Sequence, residues 1–256
     1  MKARHKRDGN WLASRAVQMT FVVVLLGLWY LGTTRWRISP ILLPNPVAVW
    51  HELKDVLSTG EYIPDLRITL TELAIAFSIS STTGITLGYL ISRSRYSIRV
   101  LEPLLAGIYS VPIILFLPLY ILFFGLGPAS KIALGATISF FPIVLNTIAG
   151  FGYVDRIFIL SARSMGASEY QLFRWVLLPA AFPVILTGLR IGFTIALLSI
   201  LGSETIASLA GLGHRIVHLA EGMDTARMFA YIAFAVAIAL FLNTATSMLE
   251  ARAMRR

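Results

Sequence analysis

The sequence predicts an all-α membrane protein with about six transmembrane helices, and three observations carry that prediction. Hydrophobic residues make up 57% of the 256 residues and charged residues only 14%, a balance foreign to a soluble domain of this length. The apolar residues gather into runs at 17–33, 68–92, 101–124, 132–150, 180–201 and 225–248, each near the length that a hydrocarbon core about 30 Å thick asks of a helix. Those runs must be helical, because backbone amides and carbonyls left open in lipid are too costly.

The basic residues orient the spans. A net charge of +9 can accompany nucleic-acid binding, but here the Lys and Arg side chains stand at the ends of the apolar runs and not along one basic face. They read as topology signals, with no nucleic-acid partner. With the amino terminus inside, fourteen of the 22 fall on inner segments and seven on outer ones, Arg190 alone lying within a span. That bias places both termini, and the polar interval 151–179, in the cytoplasm.

Taken in order, residues 1–16 are a basic cytoplasmic tail with Lys2, Arg4, Lys6, Arg7 and Arg15, and 17–256 form a single transmembrane domain. No small-residue cleavage site follows the first apolar run, and Trp29, Tyr30 and Trp36 suit an interfacial anchor, so a retained helix is predicted over a signal peptide. Between Pro44 and Gly60 lies a predicted amphipathic helix: Asn45 caps it, Pro46 takes the first helical position, and Val49, Trp50, Leu53, Val56 and Leu57 share a face. Too short to span, it is expected to lie on the outer interface.

Within the spans, Gly84 with Gly88, and Gly188 with Gly192, form faces where helices approach closely. The stretch from Ser78 to Thr86 is rich in Ser and Thr, read either as packing or as a path lining. Pro112, Pro118 and Pro142 interrupt the third and fourth spans, where each is expected to kink a helix.

The interval 151–179 is the longest polar break with helix signals of its own. Asp155 is placed to cap a first helix and Gly166 to end it in the left-handed conformation. Ser168 restarts the chain, with Gln171 three residues on to complete a capping box. Pro179 and Pro183 stand where the chain re-enters the bilayer. The expectation is helix, tight turn, helix.

Here the residues resemble a known family. Ala162, Gly166 and Val176-Leu177-Leu178-Pro179 resemble the cytoplasmic EAA loop of the membrane subunits of binding-protein-dependent ABC importers, although Leu160 stands where that loop usually has glutamate and Ser161 where it has its first alanine. Leu42-Leu43-Pro44-Asn45-Pro46, Ser110-Val111-Pro112, the stretch 141–147 and Gly188-Leu189-Arg190-Ile191-Gly192 are similar to the nitrate, sulfonate and taurine type permeases. The resemblance implies a type I ABC importer permease fold in the bacterial cytoplasmic membrane, with a cytoplasmic coupling helix. It also implies a second copy of the chain, two copies of a cytoplasmic ATPase and an extracytoplasmic solute-binding protein. Ser161, Ala162, Gly166, Ala167 and Ser168 would then meet the ATPase. Relatives carry sulfonates, taurine or nitrate, and similar permeases carry aromatic vitamins and their precursors.

The remaining candidates follow from cost. Ionisable or polar groups in lipid need a partner or a function, which singles out Glu72, Glu102, Asn146, Arg190 and Glu204; with Pro112, the last three are the candidates for path or gate. Arg190 reads either as an interhelical ion pair or as an anion site. His214, His218 and Glu221 share a helical face and are metal-ligating types, but such spacing arises easily by chance and no metal is expected. With no cysteine, disulfides are excluded. No Gly-x-x-x-x-Gly-Lys-Ser/Thr loop is present, so ATP and Mg are expected on the partner and no cofactor on this chain, and no catalytic constellation marks it as an enzyme. The reading from another class is a secondary transporter or channel that uses Glu72, Arg190 or Glu204 for ion coupling.

Overall fold

The computed structural model describes residues 5–36 and 38–254, the side chains of 5–15 and of Leu249 excepted. The basic side chains of the tail, Arg37, Arg255 and Arg256 therefore lie outside the described residues. The described residues are helical and contain no strand. Five helical stretches are long and apolar enough to cross a membrane: Ala16–Thr34, Ile63–Ser92, Pro128–Gly152, Glu169–Ile206 and Thr225–Ala253. A sixth span results if Arg95–Tyr109 and Ile113–Phe124, bent by 71° at their break, count as one.

The chain divides into two compact units. One comprises 1–61 and 216–234. It holds α1 (His5–Thr34) and α2 (Pro46–Thr59), which begins where the Asn45 side chain accepts the Val47 N–H at 2.9 Å and ends at Gly60, φ 71°. Of the residues expected to share one apolar face of α2, Val49 and Val56 are buried while Trp50 and Leu57 are exposed, so only part of that face packs within the chain. The Trp29 indole donates to the Pro44 carbonyl at 3.0 Å. Arg227, in the first turn of α11 (Thr225–Ala253), gathers Glu52, Asp55 and Glu61.

The other unit comprises 62–215 and 235–256. Its core is α6 (Pro128–Gly152), with α3 (Ile63–Ser92) and α9 (Leu178–Ile206) against it. Glycines set both approaches. A Cβ at Gly88 of α3 would stand 2.6 Å from Thr147 Cβ, and one at Gly192 of α9 would stand 2.6 Å from Ile143 Cγ1. Both small-residue faces thus close on the same helix, whose Leu134, Ile143, Val144 and Ile148 are fully buried. Because lipid is as apolar as a leucine side chain, this close van der Waals fit is what holds the helices together.

Of the three prolines expected to kink a span, only Pro112 breaks one. It separates α4 (Arg95–Tyr109) from a 3₁₀ turn over Ile113–Phe116 and α5 (Leu117–Phe124). Pro118 lies in the first turn of α5, where its missing N–H leaves no bond unmade. Pro142 lies inside α6, which continues through it to Gly152.

Candidate functional site

The interval 151–179 is built from local bonds. Asp155 Oδ1 accepts the Ile157 N–H at 2.9 Å and opens α7 (Arg156–Ser164). Past its end, Gly166 takes φ +80°, the left-handed conformation that a side chain resists, and its N–H reaches the Arg163 carbonyl at 2.9 Å. Ser168 and Gln171 then form the full capping box of α8 (Glu169–Leu172). The second helix differs from expectation. It does not stop at the membrane: α8 passes through a π-helical turn over Phe173–Leu177 directly into α9, giving one stretch from Glu169 to Ile206, 38 residues long. Pro179 accounts for the turn, because its ring crowds the carbonyl four residues back in a regular α-helix. The wider turn before it, closed by Leu178 N–H to Phe173 O, lets the helix continue.

The two faces of α7 look into different spaces. On one, Phe158, Ser161, Ala162 and Met165 oppose Trp175 and Pro179 across a cleft of about 500 Å³, and beside it Gly166, Ala167 and Gln171 line another of about 360 Å³. Ala162 is buried, whereas Met165 is 82% and Trp175 70% exposed. The capped, glycine-cornered hook thus holds apolar side chains outward, with open space over Gly166. The opposite face, carrying Arg156, Ile159, Leu160 and Arg163, lines a cavity of about 720 Å³.

Four of the five predicted coupling residues, Ser161, Ala162, Gly166 and Ala167, line those first two clefts; Ser168 is the cap of α8. The four path or gate candidates, by contrast, do not converge. Pro112 lines an open apolar cavity of about 360 Å³ with Tyr109, Ile138 and Leu198. Asn146 donates from Nδ2 to the Pro142 carbonyl of its own helix at 2.8 Å. Arg190 Nη1 pairs with Glu250 Oε2 at 3.1 Å, and Glu250 Oε1 accepts from Thr187 at 3.0 Å. Between its two readings, the geometry gives Arg190 an interhelical ion pair, with Thr194 to Asn243 at 3.1 Å joining the same two helices.

Glu204 is a brace. It is 1% exposed; Oε1 accepts from the Thr69 hydroxyl at 2.7 Å and Oε2 from the Gly213 N–H at 2.7 Å. Thr69 in turn accepts the Leu212 N–H at 3.0 Å, and Asp65 accepts the Gly211 N–H at 3.1 Å. Glu72 lies beside Glu204 with its Oε2 buried and unpartnered, and both carboxyls sit in the field of the Lys131 ammonium. Lys131 was expected as an outer topology charge, but it is 1% exposed, with Nζ bonded to the carbonyls of Leu126 and Gly127. A buried ammonium needs acceptors and counter-charges; the turn between α5 and α6 supplies the first and the two nearby acids the second. Sequence reasoning missed Thr69, Lys131, Asn243 and Glu250; a lysine three residues into a Pro-started apolar run was the one visible signal.

His214, His218 and Glu221 all stand on α10 (Leu212–Glu221), and no metal-holding group of three His, Asp or Glu occurs among the described residues. Tyr153, just past α6, donates its hydroxyl to Glu102 Oε2 at 3.0 Å, a bond that pushes its phenol above the usual range.

Residues 80–255 match the family of binding-protein-dependent transport system inner membrane components. The chain belongs to this family. It is 32% identical to the taurine transport system permease protein TauC of Escherichia coli, covering 95% of this chain and 91% of that one. To the putative aliphatic sulfonates transport permease protein SsuC of Bacillus subtilis it is 30% identical, covering 91% and 84%. To the riboflavin transport system permease protein RibX of Chloroflexus aurantiacus it is 32% identical, covering 90% and 85%. Two solved structures share the fold: the inward-facing MetNI methionine ABC transporter (TM-score 0.63, 19% identity, 75% of this chain and 95% of that one) and an amino acid ABC transporter with histidines (0.63, 23%, 80% and 97%).

Proposed function

We propose that this family member is the membrane-spanning permease subunit of an ATP-driven importer, with both termini and the interval 151–179 in the cytoplasm. The observation that carries the reading is the hook from Asp155 to Gln171: capped at both helix starts, turned at Gly166, apolar on its exposed side and joined without a break to α9. A separate ATPase subunit grips this hook. Two copies of the chain pair, each ATPase drives one hook, and a closure of the ATPases draws the hooks together. Because Glu169–Ile206 is one helical stretch, displacement at the hook is displacement of α9, and α9 is packed on α6. The movement therefore reaches the middle of the helical core, where a solute path would open to either side in turn. A solute-binding protein delivers cargo at the opposite face.

For the cargo, the sulfonate and taurine permeases among the relatives favour a small sulfonate, and the riboflavin permease supports an aromatic vitamin as the second possibility. ATP and its magnesium belong to the partner. The test is a gentle detergent pulldown from the native membrane with an ATPase assay. Recovery of an ATP-hydrolysing subunit together with a binding protein is the expected result, and the binding protein's ligand names the cargo. Recovery of the chain alone, with uptake driven by an ion gradient, contradicts the reading.

A further inference from the structure

We propose that the cavity behind α7 is a binding site for the phosphate headgroup of an anionic phospholipid; the assignment rests on the orientation proposed above, which places this cavity at the cytoplasmic edge of the bilayer. The cavity is the largest of those described, about 720 Å³, and its wall is chemically divided. Its floor is aromatic: Tyr89 meets Phe151 edge-on at 5.1 Å and Phe173 at 5.2 Å between ring centroids. Its rim is basic, with Arg93, Arg95, Arg156 and Arg163 set against one acid, Glu169. Glu169 is already engaged by Arg163 at 2.9 Å. The other three guanidinium groups make no ion pair among the described residues.

α4 starts at Arg95 and α7 at Arg156, so two of the basic residues stand at helix starts beside the cavity, where Ser94 and Asp155 already cap the first turns. An anion held there gains guanidinium contacts. The aromatic floor selects an anion with an apolar body, and basic residues just outside a span are where anionic headgroups collect. Topology alone requires basic residues on this side but not their convergence on one cavity. Arg99, one turn further along α4 than Arg95, does not line it. A lipid seated there ties the start of α4 to the face of α7 opposite the hook's exposed side.

The experiment is native mass spectrometry of the purified chain in detergent, titrated with phosphatidylglycerol or with phosphatidylcholine, and with inorganic phosphate as competitor. The expected result is retention of phosphatidylglycerol over phosphatidylcholine. Arg93→Gln with Arg156→Gln should weaken it by roughly thirtyfold, the loss for two basic contacts at a membrane surface, while Arg93→Lys with Arg156→Lys keeps most of it. Equal loss in Arg99→Gln means diffuse charge attraction and overturns the site. Displacement by millimolar inorganic phosphate means a free-phosphate site and overturns the lipid assignment. Because the readout uses this chain without an ATPase, it fails or succeeds independently of the pulldown that tests the importer reading.

Discussion

Ser168 and Gln171 close on each other: Gln171 Oε1 accepts the Ser168 N–H at 2.8 Å while Ser168 Oγ accepts the Gln171 N–H at 3.3 Å. This reciprocal pair satisfies two amides that the start of α8 would otherwise leave open. It fixes the direction in which the chain leaves the Gly166 corner, and so fixes the hook relative to α9.

Gly166 should answer to backbone within the chain and to bulk where the ATPase docks. Nothing lies within 4 Å of an added Cβ, but φ is +80°. Gly166→Asn should keep most uptake, Gly166→Ala should lose part through a left-handed strain of about 1–2 kcal/mol, and Gly166→Val or Trp should abolish uptake while the protein stays in the membrane. Solute uptake in vesicles, normalised to membrane level, gives the order. Normal uptake in the bulky variants would remove the loop from the mechanism.

The contact of α9 with α6 should behave as a hard seam. A Cβ at Gly188 would stand 2.5 Å from Asn146 Cβ and 3.2 Å from the Pro142 carbonyl, so Gly188→Leu forces the helices apart. A loss of more than about 3 kcal/mol is expected, read as a fall in thermal midpoint in detergent; an unchanged midpoint contradicts the packing.

Removing the Glu204 carboxylate should cost more than its size suggests. Glu204→Ala leaves the Gly213 amide without its acceptor and the Thr69 hydroxyl with only its longer bond to the Asp65 carbonyl, a loss of about 1–3 kcal/mol for each buried donor left unsatisfied. Glu204→Gln keeps one acceptor and should lose less. Thermal unfolding ranks the two, and equal stability of wild type and Glu204→Ala would show that the outer loop at 211–213 is held some other way.

Tyr153 supplies a pH signature outside the membrane. Its phenol is raised by the hydrogen bond to Glu102, so the neutral form is favoured. The contribution of that bond is full below the unfolded tyrosine value of about 10 and is lost as pH rises through the higher folded value. The phenolate absorbance difference between wild type and Tyr153→Phe should show a late transition, moved back down by Glu102→Gln; no movement on that substitution contradicts the assignment.

What the sequence disclosed and what it withheld divide by contact range. Asn45, Asp155, Gly166 and the Ser168–Gln171 box were legible because caps and turns are settled within three or four residues. The glycine faces were legible as a period of four, though not that both close on α6. Glu250 and Thr69 were illegible because their partners lie 60 and 135 residues away, and no local pattern reports that distance. The burial of Lys131 was hidden for the same reason: at the end of an apolar run a lysine shows only its charge until the acids across from it are known. The π turn before Pro179 was hidden because proline at a helix start and proline after a widened turn leave the same mark in the sequence.

The central claim is that an ATPase grips the hook, and the absence of native cysteine makes it directly measurable. A single cysteine at Ser161 or Ala167, cross-linked in native membranes with a short thiol-to-amine reagent, should capture the ATPase subunit, with a yield that changes when ATP is added. A cysteine at Leu122, an exposed position on α5, should not. Hook cysteines that capture no ATP-hydrolysing protein, or that capture it no better than Leu122→Cys does, would contradict the account.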